Sequence, residues 1–140
     1  MRRRGFTIIE IIVVLAISVV LFAIALPRAW IFVDGIEVRG AVTEIESLFS
    51  LARHAAIARG SQVNLDLDSS RGIITVRSGT EIIRSREVAL THGVTLSTAR
   101  ASITYSPIGV GYGAANFSLI VKRAKVADTI VVSRLGRVRH

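Results

Sequence analysis

The chain has 140 residues, 51% of them hydrophobic, and a formal net charge of +8. Once an apolar segment of about twenty residues is set aside, roughly 110 residues remain, enough for one modest core. The absence of cysteine excludes disulfides and thiolate metal sites, and His54, His92 and His140 are too scattered to predict a metal site or a cofactor. The positive charge favours anionic partners such as nucleic acid or lipid headgroups, but it does not indicate a fold.

Residues 6–26 are apolar apart from Thr7, Glu10 and Ser18. As a helix that rises about 1.5 Å per residue, this segment spans roughly 30 Å, the thickness of a hydrocarbon core. Three arginines at 2–4 precede the segment, and no comparable cluster follows it. The positive-inside rule therefore predicts one membrane crossing, with the N-terminus in the cytoplasm and the rest of the chain outside.

Two ordinary export signals also match parts of this segment. A secretory signal could be cut after Ala23-Ile24-Ala25, and Arg3-Arg4-Gly5-Phe6 is similar to a twin-arginine signal. Neither signal explains Glu10, because a carboxylate in an apolar region costs about 3 kcal/mol on insertion and neither pathway requires one. A plain membrane anchor leaves Glu10 unexplained as well.

The stretch Gly5-Phe6-Thr7-Ile8-Ile9-Glu10 follows basic residues and opens an apolar helix. It resembles the class III signal of type IV pilins and type II secretion pseudopilins. The resemblance implies that prepilin peptidase cuts between Gly5 and Phe6 and methylates the nitrogen of Phe6. It also implies that Glu10 lies in the filament core, where the charged α-amino group of Phe6 on a neighbouring subunit balances the carboxylate and fixes the axial register.

The same resemblance implies the partners and the location of the protein. The partners are other pseudopilins or pilins in a filament, prepilin peptidase and the inner membrane. The protein crosses the inner membrane once, keeps its C-terminal domain in the periplasm, and enters the pseudopilus after assembly.

Pro27 follows the apolar run and is expected to kink the helix without ending it, as in pilins of this family. Beyond Pro27, apolar residues recur at spacings of three and four, which predicts an amphipathic helix over 34–59 that ends at Gly60. The apolar stripe comprises Val38, Val42, Ile45, Phe49, Ala52 and Ala56. The opposite face carries Arg39, Thr43, Glu46, Ser50 and Arg53.

After Gly60 the apolar residues alternate with polar ones, which is typical of short strands. The predicted strands are 63–67, 73–77, 94–97, 102–105, 117–122 and 129–133, with a turn at 68–72 and the segment "EIIRSREVAL" after "SGT" at 78–80. We expect one antiparallel sheet of about six or seven strands, packed on the apolar stripe of the helix. The glycine-rich stretch 107–113 lacks the context of a dinucleotide site and is predicted to be a loop.

The predicted fold class is therefore α+β, with a long N-terminal helix packed on an antiparallel β-sheet domain. The first half of the helix is transmembrane and the second half is amphipathic. We expect a leader peptide at 1–5, a transmembrane and filament-core helix at 6–33, and a periplasmic domain at 34–140. Within that domain the helix covers 34–59 and the sheet covers 61–140. The spacing of His, Ser and acidic residues predicts no catalytic triad or acid–base pair, so the chain is expected to be the substrate of an enzyme and not an enzyme.

Within the pilin-like superfamily the chain is similar to the GspH/FimT group. The similarity lies in "SLARHAAIARG" at 50–60, the later "YSPIGVGYG", and the ending "GRVR". It implies a minor pseudopilin, a structural subunit of the type II secretion pseudopilus. The alternative within the same group is a FimT-like minor type IV pilin that binds DNA during natural transformation. A small domain without a C-terminal cysteine pair favours a minor subunit over a major one.

The alternative function depends on a cluster of basic residues near the C-terminus. Its candidate phosphate-binding members are Arg134, Arg137, Arg139, Lys122, Arg123 and Lys125. The same residues are also consistent with solvated charges at strand ends and in loops, and Tyr105, Tyr112 and Phe117 suit core or loop positions. The sequence leaves both functions open.

Overall fold

The computed structural model describes residues 7–112, 117–133 and 138–139. Its longest element is helix α1, Ile8–Arg59, which contains Pro27. The internal contacts divide the chain into two compact units, and the division falls between Val33 and Asp34. The two units are described separately.

In the first unit, Thr7 caps the start of α1. The backbone N–H of Glu10 donates to the carbonyl oxygen of Thr7 at 3.1 Å and to its Oγ1 at 3.3 Å, which satisfies a donor that has no partner inside the helix. Further along, the Ser18 hydroxyl donates to the Val14 carbonyl at 2.8 Å, so this polar group also has a partner within the helix.

The large apolar side chains of the first unit are exposed. From Ile8 to Val33, every large apolar side chain is between 39% and 80% exposed. The most apolar stretch of 18 residues in α1 has a mean hydropathy of 3.1, and none of it is buried. By length and composition this part of α1 fits single-pass membrane anchoring.

In the second unit, the second half of α1 carries the predicted apolar stripe. All six predicted stripe residues are buried, and Ala41 and Leu48 widen the stripe. On the other face Arg39, Thr43 and Ser50 are exposed. Arg59 is the last helical residue, and Gly60 follows with a φ of 58°, a left-handed conformation that glycine adopts without steric cost. The predicted helix end is confirmed.

The described residues after Gly60 form nine strands and one short helix. They are β1 (Val63–Asp68), β2 (Ile73–Ser78), β3 (Glu81–Glu87), α2 (Val88–His92), β4 (Thr95–Thr98), β5 (Ser102–Tyr105), β6 (Gly111–Tyr112), β7 (Phe117–Arg123), β8 (Val126–Val132) and β9 (Val138–Arg139). All strand pairs are antiparallel. The α+β class with an antiparallel strand domain is confirmed.

The expectation of a single sheet was wrong. The strands form a five-stranded sheet in the order β3-β2-β1-β5-β6 and a four-stranded sheet in the order β4-β7-β8-β9. The change occurs after β3, where α2 interrupts the predicted "EIIRSREVAL" segment, and β4 then pairs with β7 instead of returning to the first sheet. This pairing joins residues more than twenty positions apart, which alternation along the chain does not encode.

The core lies between the stripe of α1 and the inward faces of both sheets. Strand β1 alternates buried and half-buried residues until its last position, and β7 alternates buried and exposed ones over most of its length, so each strand offers one apolar face. Phe49 of α1 meets Phe117 of β7 edge to face, with ring centroids 5.7 Å apart. The buried apolar core begins at Val38.

Two ion pairs hold the edge strand β3 against α1. Arg59 donates from both terminal nitrogens to the Glu81 carboxylate at 2.6 and 3.1 Å, and this bidentate contact lowers the pKa of Glu81. Toward the other end of β3, Arg86 Nε lies 3.5 Å from Glu44 Oε1. The edge strand is therefore linked to the helix near both of its ends.

Candidate functional site

The N-terminal motif is only partly within the described residues. Gly5 and Phe6 lie outside them, whereas Glu10 occupies the first turn of α1 and is exposed. Its neighbours on the helix surface, Ile11 and Val14, are also exposed. No described residue forms an ion pair with Glu10, so in an apolar surrounding its carboxylate needs a cation from beyond the described residues.

Pro27 lies inside α1, and helix continues on both sides of it. Proline removes one backbone donor from the helical ladder, and its ring crowds the preceding turn. The predicted kink at this position stays a prediction.

The described members of the predicted basic cluster lie at two different places. Lys122 is near the end of β7 and is paired with Ala127, whereas Arg139 of β9 is paired with Val131. Ala127 and Val131 are four residues apart along β8, which corresponds to about 13 Å. Lys125 lies in the β7–β8 turn, near Lys122. Arg134 and Arg137 lie outside the described residues.

Arg123 is bound within the domain. Its Nε donates to Asp34 Oδ1 at 2.9 Å, and its Nη1 donates to the carbonyl oxygen of His92. The side chain is about 30% exposed, and that of Asp34 about 19%. Gly93 has a φ of 61°, which favours glycine, and a Cβ there would lie 2.7 Å from Nη1, so a larger residue would displace this guanidinium. Arg123 therefore ties the end of β7 to α1 and to the end of α2.

A second polar cluster surrounds His92, and the sequence did not predict it. Nδ1 of His92 lies 3.0 Å from Glu37 Oε2, and Nε2 lies 3.1 Å from Glu44 Oε2. Carboxylates only accept hydrogen bonds, so both contacts are hydrogen bonds only when both ring nitrogens carry a proton. Each ring nitrogen of His92 therefore faces one glutamate side chain of α1.

The imidazole reaches α1 because Gly40 leaves space for it. A Cβ at Gly40 would lie 3.0 Å from Cε1 of His92 and 3.2 Å from Nδ1. Glu37, Gly40 and Glu44 lie on one face of α1, since they are separated by three and four residues. The sequence did show a glycine between two glutamates on one helix face. It did not connect them with His92, which lies about fifty positions further along the chain.

A third unusual position is Tyr105, which is fully buried in β5. Neither its hydroxyl nor Nε of Arg53 has a hydrogen-bond partner in the described residues. Burial raises the pKa of Tyr105 to about 12, and the positive charge of Arg53 opposes this rise. Of the predicted loop at 107–113, residues 107–110 form a turn in which Val110 N–H donates to Ser106 Oγ at 3.1 Å. Gly111 and Tyr112 form strand β6 instead, and Gly113 lies outside the described residues.

Within the described residues, no group of three or more His, Asp or Glu side chains is placed to hold a metal ion. The titratable clusters found there are the half-buried contacts between α1 and its neighbouring elements. Their geometry joins secondary-structure elements to one another.

Comparison with known proteins agrees with this architecture. Residues 1–26 match the model of the prokaryotic N-terminal methylation motif. The fold is similar to that of the type IV minor pilin FimU of Pseudomonas aeruginosa in two crystal forms. The first crystal form has a TM-score of 0.64 and 12% sequence identity, and the match covers 77% of this chain and 90% of FimU. The second has a TM-score of 0.60 and 10% sequence identity, and the match covers 72% of this chain and 90% of FimU. Among curated proteins, none matches the sequence.

A methylation motif, a long N-terminal helix and an antiparallel strand domain together define a type IV pilin-like protein, a class of filament subunits. Residues 41–136 match the model of the type II transport protein GspH. The chain belongs to the GspH family. This family and its fold are those of structural pilins and not of enzymes, and assembly with other pilins in a filament follows from membership.

Proposed function

We propose that the chain is a minor pseudopilin, a structural subunit of the type II secretion pseudopilus. The observation that carries the proposal is the match of residues 41–136 to the type II transport protein GspH, next to the methylation motif at 1–26. In this function the chain takes part in protein export as a component of a filament and catalyses no reaction.

The proposed maturation follows from the motif. Prepilin peptidase removes residues 1–5 by cutting between Gly5 and Phe6, and it methylates the nitrogen of Phe6. Residues 6–33 then anchor the subunit in the inner membrane, while residues 34–140 fold in the periplasm. The exposed apolar surface from Ile8 to Val33 supports this division, because it needs lipid or neighbouring helices to cover it.

The proposed role of Glu10 is to fix the register of the assembling filament. Its carboxylate stands on an apolar surface with no cation paired to it among the described residues. In a bundle of such helices the α-amino group of Phe6 on a neighbouring subunit supplies the positive charge. An unpaired carboxylate in that bundle is unfavourable, so only one axial offset is stable.

Deletion of the gene in the host bacterium tests the choice of machine. Export of type II substrates should fall and should recover when the intact chain is expressed, whereas DNA uptake should not change. Mass spectrometry of the purified subunit should find a chain that starts at Phe6 and carries one methyl group. A mature N-terminus at Leu26 would instead establish an ordinary secretory signal, and lost DNA uptake with normal export would favour the alternative.

The second candidate function is a FimT-like minor type IV pilin that binds DNA. Exposed Arg139 on the edge strand β9 supports it, together with Arg134 and Arg137 close by in the sequence. Lys122 and Lys125 lie toward the other end of the four-stranded sheet, and the guanidinium of Arg123 is occupied by Asp34 and His92. A DNA site would therefore depend on the C-terminal arginines.

A further inference from the structure

Two exposed lysines lie at the β7–β8 turn, Lys122 near the end of β7 and Lys125 in the turn itself, and they are the only lysines in the chain. We propose that these lysines bind anionic phospholipid headgroups at the surface of the membrane that α1 spans. The proposal rests on the membrane anchoring proposed above. It assigns to this turn a lipid partner in the subunit before assembly, separate from any contact within the filament.

The position of the turn is fixed by Arg123, its neighbour in sequence. Arg123 binds Asp34 at 2.9 Å and also the carbonyl of His92, so the turn is held beside the first part of the second unit. Asp34 directly follows Val33, the last residue of the exposed apolar segment. The turn is therefore held beside the residue that follows the exposed apolar segment in the sequence.

The charges near the turn leave the two ammonium groups available. Asp34 is paired with Arg123, and Oδ1 of Asp128 accepts the N–H of Thr129. Neither lysine forms an ion pair with any described residue. A flexible lysine carries a compact point charge that suits a phosphate in any orientation.

The neighbouring elements α1, α2 and β3 also carry charged side chains. Glu37 and Glu44 of α1 are directed at His92 of α2, and Glu44 also meets Arg86 of β3. These carboxylates are therefore engaged inside the domain and do not offset the lysines at its surface. A pair of exposed positive charges matches a negatively charged lipid surface.

Amine footprinting of the full chain tests the proposal directly, because the side chains it labels are these two lysines. The chain is reconstituted in vesicles of phosphatidylcholine alone or of equimolar phosphatidylcholine and phosphatidylglycerol. A membrane-impermeant amine-reactive ester is added, and mass spectrometry follows the labelling rate of each lysine, with the N-terminal amine resolved on its own peptide. We expect labelling to be about fivefold slower or more with phosphatidylglycerol, which corresponds to roughly 1 kcal/mol per basic residue, and high salt to abolish the difference.

Two charge reversals of equal size serve as variant and control. In Lys125→Glu, labelling of Lys122 should lose most of its dependence on phosphatidylglycerol. Arg84→Glu, which reverses an exposed charge on β3, should keep that dependence. Equal labelling in both vesicles, or loss of the dependence in both variants, would overturn the proposal.

Two further outcomes separate the possible causes. Protection of the lysines by duplex DNA on phosphatidylcholine vesicles, without protection by phosphatidylglycerol, would overturn the proposal in favour of a nucleic acid partner. A chain that fails to float with vesicles of either composition would refute the membrane anchoring itself and the lipid contact with it. A chain that floats but shows no lipid-dependent protection refutes the lipid contact alone.

Discussion

At the residue scale, Glu10 places a charged carboxylate on an apolar helix surface. It lies on a helix surface whose neighbouring side chains are aliphatic and exposed. Its cost in an apolar medium is offset only when a cation approaches, and the chain places none there among the described residues. The residue is therefore expected to matter for assembly and not for folding of the domain, whose buried core begins at Val38.

Replacing Glu10 tests this view. Glu10→Leu should leave membrane insertion and the melting temperature of the domain unchanged, while incorporation into filaments falls strongly. Removing one member of a buried ion pair typically costs about 3–5 kcal/mol, because the other charge is left without a partner. Cross-linking of assembled subunits measures incorporation, with Glu10→Gln as a variant of equal size. If Glu10→Leu enters filaments as well as the parent chain, the register role is wrong.

Tyr105 offers a second test at the residue scale. Its hydroxyl is buried without a partner among the described residues, so Tyr105→Phe should raise the free energy of unfolding by about 1 kcal/mol. Burial raises the pKa of Tyr105 from 10.0 to about 12, so the phenol resists ionisation in the folded state. The parent chain should therefore lose stability as the pH rises from 10 to 12, because the unfolded state releases this proton first.

Urea unfolding at neutral and alkaline pH measures both effects, and the part of the alkaline loss that belongs to Tyr105 should be absent in the variant. A variant that is about 1 kcal/mol less stable at neutral pH would indicate that the hydroxyl has a partner such as a bound water.

At the element scale, the contact between α1 and α2 depends on one glycine. Gly40 lies under the imidazole of His92, where a Cβ would come within 3.0 Å of the ring. Gly35, on the same helix, has nothing within 4 Å of its Cβ position. Alanine is preferred over glycine in a helix by about 1 kcal/mol, so the two glycines should respond to substitution with opposite sign.

Gly35→Ala should stabilise the chain by about 0.5–1 kcal/mol, whereas Gly40→Ala should destabilise it by about 1–2 kcal/mol because the ring is displaced from its carboxylates. In the His92→Ala background, Gly40→Ala should become stabilising, like Gly35→Ala. Denaturant unfolding of the full chain in detergent measures all of these variants. If Gly40→Ala destabilises the chain equally with and without His92, the imidazole contact is not the cause of the destabilisation.

The sequence predicted those elements whose pattern is local. The stripe from Val38 to Ala56 was visible because a helix repeats every 3.6 residues, and Gly60 marked its end. The division into two sheets was not visible, because it depends on the pairing of β4 with β7. The His92 cluster was missed for the same reason, since a histidine and two glutamates about fifty positions apart carry no shared period. Contacts of this kind are set by tertiary packing.

At the scale of the whole molecule, the distribution of basic residues distinguishes the two candidate functions. Arg139 lies on β9, at the edge of the four-stranded sheet, and its neighbours Arg134 and Arg137 fall outside the described residues. Lys122 is about 13 Å away along the strand direction, and Lys125 lies in the turn beyond it. A DNA site at the C-terminus and a lipid contact at the β7–β8 turn are therefore separable by substitution.

A fragment from Asp34 to His140 retains all of the buried core and suits a DNA-binding assay. If the alternative function holds, the fragment binds duplex DNA at low salt and loses most binding at high salt, because arginine contacts release counterions from phosphate. Arg137→Ala/Arg139→Ala should then abolish binding without a change in melting temperature. Arg71→Ala/Arg84→Ala removes two exposed charges elsewhere and should have little effect. Undetectable binding at low salt, or equal loss in both double variants, would argue against a C-terminal DNA site.

The start of the buried core at Val38 has an evolutionary consequence. A single continuous helix serves two sets of constraints: its first part must suit lipid and other subunits, whereas its second part must suit the sheets of its own domain. We therefore expect the sequence before Asp34 and the core of the domain to be selected for different properties. The two parts can diverge at independent rates, and a hybrid gene that joins the span of one pilin-like protein to the domain of another should still encode a folded domain.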